Sequence, residues 1–151
     1  MDVNLKAGEF LIALEWGYAS LDEVISWADH EISESENPKI EFIDLSLSKS
    51  NHEAITVLRG LSKGVDDWMV LRFFFNRFSK IEKLSVSDAS KLARHLYMKC
   101  TYQDTCPEDL LIFSSHWDDI DLARDRIIAL HVDDAINNFL ADMRRLSIRP
   151  D

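Results

Sequence analysis

Between Asp66 and Ile81 the chain carries apolar side chains around most of a helical circumference. Trp68, Leu71, Phe75 and Phe78 recur at three- and four-residue spacing, and Met69, Phe73 and Phe74 widen the stripe. A helix apolar on most of its sides cannot rest at a surface and needs neighbours on several faces. This segment therefore calls for amphipathic partners packed around a buried, aromatic-rich helix. Four glycines and three prolines in 151 residues leave little of the turn chemistry that many short strands demand. The expected fold is all-α: a single compact domain over residues 1–151, long enough to bury a real core. Apolar periodicity divides it into about seven to nine helices in antiparallel hairpins around the central one.

Helix punctuation runs along the chain. Leu5, Phe10, Leu11, Leu14 and Tyr18 approximate one stripe, and Gly17 marks its end. Ser20, with Glu23 three residues on, forms a capping box for a helix that buries Val24, Trp27 and Ala28. Residues 33–38 form a loop, because Pro38 cannot continue a helix. In residues 39–48, Ile40, Ile43 and Leu47 suit a helix, whereas Ile43, Leu45 and Leu47 suit a strand; the helix is preferred, since an isolated strand has nothing to pair with. Ser50 or Asn51 caps the next helix, which ends at Gly60 or Gly64. Beyond the apolar segment, Ser87 and Asp88 start a helix with Leu92, Leu96 and Met98 inward, and Cys100 to Pro107 is a loop. Pro107 suits a first helical turn, Ser115 with Asp118 a further start leading to Ile120, Ala123, Ile127 and Ile128, and a last helix from Asp133 buries Ile136, Phe139, Leu140 and Met143. Ser20–Val24, Ser85–Ala89 and His131–Ala135 share a loose pattern at irregular spacing, which reads as repeated helix-start chemistry.

Charge is distributed in three blocks. Residues 1–45 carry a net −9, residues 46–100 a net +5, and residues 101–151 a net −6, giving −10 in all. Such acidity argues against a nucleic-acid partner, because phosphate contacts need a basic field. It suits a basic protein partner, for which complementary charge speeds and orients association. It also serves solubility alone. The basic middle, with Arg72, Arg77, Lys80 and Lys83, has two readings: a patch beside aromatic residues that would suit nucleic acid or, more simply, the exposed rim of the central helix, paired with acids from both ends. The N-terminus lacks the basic start and apolar run of a signal peptide, and no apolar run is long enough to cross a membrane, so a cytoplasmic location is expected.

Catalytic patterns are lacking. His95, Cys100, Cys106 and His116 do not follow the spacing of a zinc site, so no metal or other cofactor is expected and the two cysteines read as unrelated thiols. Neither a nucleophile elbow nor a glycine-rich phosphate loop occurs. Asp118, Asp121 and Asp125 fall at i, i+3 and i+7, with Asp119 and Asp142 as further candidates; such a stripe could hold a cation or act as acid and base. Capping by Asp118 and pairing of Asp121 with Arg124 account for it more simply, as a solvated face or a surface for a basic partner. The expectation is a binding protein, not an enzyme.

The run Leu14-Glu15-Trp16-Gly17-Tyr18-Ala19-Ser20-Leu21-Asp22-Glu23-Val24-Ile25-Ser26-Trp27-Ala28-Asp29 resembles the opening of small bacterial immunity proteins of polymorphic-toxin and contact-dependent growth-inhibition systems. The resemblance covers 16 residues and carries over no functional residue. It implies an acidic helical protein that neutralises a cognate toxin, often a basic nuclease, by covering its active site or substrate-binding surface. The alternative is a helical adaptor with a different protein partner. Two acidic clusters are candidate partner surfaces: Asp22, Glu23, Asp29, Glu31, Glu34 and Glu36 in the first, and Asp118, Asp119, Asp121 and Asp125 in the second. Trp16, Trp27 and Trp68 lie on core faces, which leaves Trp117, beside the second cluster, as the exposed aromatic anchor.

Overall fold

A computed structural model describes residues 2–128 and 130–149, and these are all-helical, with no strand among them. No helix among them is long and apolar enough to cross a membrane. Their contacts divide the chain into two units, one ending at Phe74 and one running from Phe75 to Arg149.

The first unit holds five helices: α1 (Val3–Trp16), α2 (Leu21–Ser33), α3 (Ile40–Ser46), α4 (Asn51–Leu61) and α5 (Asp67–Phe74). Their starts are set by side chains that accept amides otherwise left without partners in a first turn. Asp2 accepts the Asn4 amide at 2.9 Å, Ser20 the Glu23 amide at 3.2 Å and Ser50 the Glu53 amide at 3.1 Å. The Glu53 carboxylate reaches back to the Lys49 amide at 2.7 Å. α1 ends as its sequence implies: Gly17 takes φ 84°, a left-handed conformation that costs glycine nothing. Phe10, Leu14, Val24, Ala28, Leu45 and Leu58 are at the heart of a continuous apolar cluster. α1 packs on α4 and α5, and α2 packs on α3. Gly8 permits the α1–α5 approach, since a Cβ there would stand 2.8 Å from Val70 Cγ2.

Residues 40–46 are helical, as preferred, but they bury Phe42 and Leu45. Ile40 and Leu47, read as the inner stripe, are 63% and 69% exposed. Trp27 decides the face: it packs between Phe10 and Phe42, with ring centroids 5.1 and 5.4 Å away. α4 ends at Leu61, and Gly64 takes φ 86° in the turn that follows.

The apolar segment 66–81 is not one helix. α5 stops at Phe74, and Phe75–Phe78 form a 3₁₀ turn that belongs to the second unit. Trp68, Leu71 and Phe74 are buried in the first unit, Phe75 and Phe78 in the second. A segment apolar on every side satisfies two cores as well as one.

The second unit continues with α6 (Val86–Tyr102), a 3₁₀ turn (Glu108–Ile112), α7 (Phe113–Arg124) and α8 (Val132–Leu146). The three shared start patterns are all caps: besides Ser20, Ser85 accepts the Asp88 amide at 3.1 Å and His131 Nδ1 accepts the Asp133 amide at 3.2 Å. α6 thus starts at Val86, capped by Ser85 two residues before Ser87, and runs past Cys100, so the loop begins only at Gln103. Met98 points outward, 48% exposed. Ser115 is not a cap. The preceding 3₁₀ turn feeds straight into α7, and Ser115 Oγ donates to the Ile112 carbonyl at 2.9 Å. α7 ends at Arg124, which leaves Ile127 outside the helix and 68% exposed.

Ile136, Phe139, Leu140 and Met143 of α8 are buried, as their spacing implies. Phe113 lies among Phe75, Phe139 and His116, with centroids at 5.1, 6.1 and 5.7 Å. The 3₁₀ turn at the start of the unit is held by its far end. Arg144 Nε donates to the Phe78 carbonyl at 3.3 Å, its Nη2 donates to the Ile81 carbonyl, and the Asn76 side-chain amide donates to the Ile148 carbonyl.

Candidate docking surfaces

The α2–α3 surface gathers the first acidic cluster, and the structure sorts its members by what each does for the fold. Asp22 and Glu23 sit in the first turn of α2, where the positive end of the helix dipole favours them. Asp29 accepts the Ser46 hydroxyl and ties α2 to α3. The other three have no such role. Glu31 lies in the last turn of α2, Glu34 is its C-cap, and Glu36 follows in the loop. Carboxylates at a helix C-terminus oppose the dipole, at about 0.3–1 kcal/mol each when exposed. Asp44, near the end of α3, repeats this placement, and Glu41 adds a further charge. Among the described residues no ion pair engages Glu31, Glu34, Glu36, Glu41 or Asp44. Ile40 and Leu47 stand exposed on α3 at seven-residue spacing, with Asp44 between them on the same stripe. The misread face of α3 thus supplies two aliphatic side chains beside uncompensated carboxylates.

The second cluster is largely committed internally. Asp121 accepts the Ser90 hydroxyl at 2.8 Å, linking α7 to α6, and lies 3.6 Å from Arg124. Asp125 is the C-cap of α7 and pairs with Arg124 at 3.3 Å. Asp118 is exposed and Asp119 half-buried. Asp142 belongs elsewhere: it meets buried His116 at 2.7 Å and Arg145 at 3.0 Å. Nothing in the spacing of His116 and Asp142 announces that pair.

Trp117 is half-buried, and it stands in company that the sequence does not reveal. Its ring lies 5.3 Å from Tyr97, Tyr97 lies 6.3 Å from Tyr102, and the Arg94 guanidinium sits over the indole at 5.8 Å. Tyr102 is 69% exposed. Tryptophan, tyrosine and arginine are the side chains that most often dominate binding energy at interfaces. Tyr102 beside Tyr97, its hydrogen bond to that phenol, loss of hydration and the Asp118 charge all push the Tyr97 phenol above its ordinary value of 10.0. An ultraviolet titration should accordingly show Tyr97 ionising later than an ordinary tyrosine as pH rises. Tyr102→Phe should move it back toward that value, and an unmoved transition would contradict the contact.

The four residues of the rejected zinc set are dispersed in role. Among the described residues no group of three or more His, Cys, Asp or Glu side chains is placed to share a metal ion. His116 is engaged by Asp142. His95 has its pKa lowered by burial and by neighbouring Arg94. Burial, then the neighbouring Cys106, pushes the Cys100 thiol up to about 12. No protein-family model, curated protein or solved structure matches this chain.

Proposed function

We propose that this chain is an immunity-type inhibitor, which binds a cognate basic toxin domain in the cytoplasm and covers its active site or substrate-binding surface. One observation carries the reading. Glu31 and Glu34 at the end of α2 and Asp44 in the last turn of α3 oppose the helix dipole, Glu36 adds its charge in the loop between them, and Ile40 and Leu47 are exposed at the two ends of α3. Carboxylates that weaken a helix and make no ion pair among the described residues are explained by a partner that supplies the positive charge. The aliphatic pair would form the dry centre of the contact and the carboxylates its rim. The resemblance of residues 14–29 to immunity proteins agrees with this class of partner.

The test separates binding from folding by sign. The triple variant Glu34→Lys, Glu36→Lys, Asp44→Lys should be as stable as the parent or more so, by about 0.3–1 kcal/mol for each of the dipole contacts relieved at residues 34 and 44. Its affinity for a toxin domain captured with the parent should fall about tenfold at low salt, mostly through slower association. Parent chain that suppresses the toxicity of a co-expressed basic domain, with the triple variant impaired, supports the reading. Unchanged affinity in the triple variant removes α2–α3 from it.

The second reading, a helical adaptor, draws on the Tyr97–Tyr102–Trp117 surface, which offers aromatic side chains beside Arg94 and Asp118 instead of the α2–α3 carboxylates. Capture of several partners, each lost on Trp117→Ala and indifferent to the lysine triple, would favour it.

A further inference from the structure

α7 ends in a pair of backbone hydrogen bonds. The Arg126 amide donates to the Ala123 carbonyl at 3.1 Å, and the Ile127 amide donates to the Leu122 carbonyl at 2.9 Å. This ending puts residue 126 in the left-handed region, where glycine is usual. Here the residue is an arginine at φ 59°, the one non-glycine with a positive φ among the described residues. That conformation strains any residue with a Cβ, so the chain keeps the Arg126 side chain at a cost to the helix end. Arg126 is exposed, and among the described residues no ion pair engages it. It opens onto a cavity of about 500 Å³ lined by Arg124, Arg126 and His131 together with Ile128, Leu130 and Val132. Small-molecule sites of this size combine apolar walls with a few polar groups.

Acids outnumber bases 27 to 17 in the whole chain, yet among the described residues no carboxylate lines this cavity. Its charge is the reverse of the chain's and selects an anion. Arg124 is already balanced by Asp125 at 3.3 Å and Asp121 at 3.6 Å. His131 Nδ1 accepts the Asp133 amide at 3.2 Å, so in this capping form the ring proton is on Nε2, which is left to donate. The Asp133 carboxylate stands on the other side of the ring, 3.9 Å from Nδ1. One uncompensated guanidinium remains, with a neutral donor and aliphatic walls beside it. A monoanion matches that balance, and the planar fork of arginine matches a carboxylate. We propose that the turn joining α7 to α8 binds a small monocarboxylate with an apolar body. Arg126 holds the carboxylate, His131 Nε2 donates to it, and Ile128, Leu130 and Val132 take the apolar body. The site is separate from the α2–α3 surface, and neither depends on the other.

The experiment titrates the folded protein with hexanoate and follows its amides by nuclear magnetic resonance, with hexanol and inorganic phosphate for comparison. Hexanoate should give saturable shifts at Arg124, Arg126, Ile128 and His131. Hexanol, which lacks the charge, should bind about tenfold more weakly, and phosphate, which lacks the apolar body, should also bind more weakly. Arg126→Gly separates binding from folding by sign. It should weaken hexanoate about tenfold and raise the thermal midpoint, because glycine adopts the left-handed conformation without strain. Arg126→Lys keeps the charge and the Cβ but loses the fork, so its affinity should be intermediate and its midpoint that of the parent. Absent or non-saturating shifts, phosphate bound more tightly than hexanoate, equal affinity in Arg126→Gly, or a glycine variant less stable than the parent would each overturn the proposal.

Discussion

Replacing Phe113 by Ala should lower stability by about 3–5 kcal/mol, the loss expected when a fully buried aromatic side chain is deleted from a close-packed interior. Phe113 is 0% exposed and touches Phe75, Phe139 and His116, which come from three different elements of the second unit. A cavity at that junction cannot close by moving one side chain, because each neighbour is itself held by others. Urea unfolding followed by circular dichroism should show an earlier midpoint for the 75–149 unit. Phe113→Leu, which keeps most of the volume, should cost clearly less. A loss below about 1 kcal/mol for the alanine variant would mean that the site collapses freely, contrary to this packing.

Gly8→Val should be costly for the opposite reason. A helix ordinarily gains about 1 kcal/mol when alanine replaces an interior glycine. Here a Cβ would stand 2.8 Å from Val70 Cγ2 and 3.3 Å from Val70 Cγ1. Valine has one stiff torsion, so its methyls cannot swing clear without moving α5. Overpacking of this kind, with two further methyls on residue 8, should destabilise by about 3 kcal/mol. The partner substitution tests the cause. Gly8→Ala combined with Val70→Ala should be more stable than Val70→Ala alone, because the new methyl enters the space that valine vacates. The same gain from Gly8→Ala in the parent, with Val70 in place, would show that α1 and α5 do not meet at this point.

Local chemistry was readable from the sequence to the extent that it stayed local. Ser20, Ser50, Ser85 and His131 act on amides two or three residues away, and Gly17 needs only its own backbone freedom, so helix class and most boundaries followed from residue type. The choice of buried face on α3 did not follow, because a helix of seven residues has too few apolar positions to define a stripe and Trp27, on another helix, makes the decision. The break after Phe74 left no mark in the pattern, since residues apolar on all sides have no period to interrupt. The acidic block at the end of α2 was visible as charge, but its neighbours Ile40 and Leu47 were assigned to the core. Trp117, read as exposed, is half-buried, and Arg94, Tyr97 and Tyr102 join it only through the packing of α6 on α7.

The bonds from Arg144 and Asn76 bear on the order in which the protein can be made. Everything that α1 to α5 bury against one another emerges within the first 74 residues, so that core is complete early on the ribosome. The carbonyls of Phe78 and Ile81 must wait for a guanidinium more than sixty residues downstream. Until α8 has left the exit tunnel, the 3₁₀ turn lacks its donors and Phe75 lacks the roof provided by the rest of its core. A nascent chain halted before Arg144 would therefore pair a finished first unit with a protease-sensitive second one, and limited proteolysis of stalled ribosome complexes would resolve the two stages.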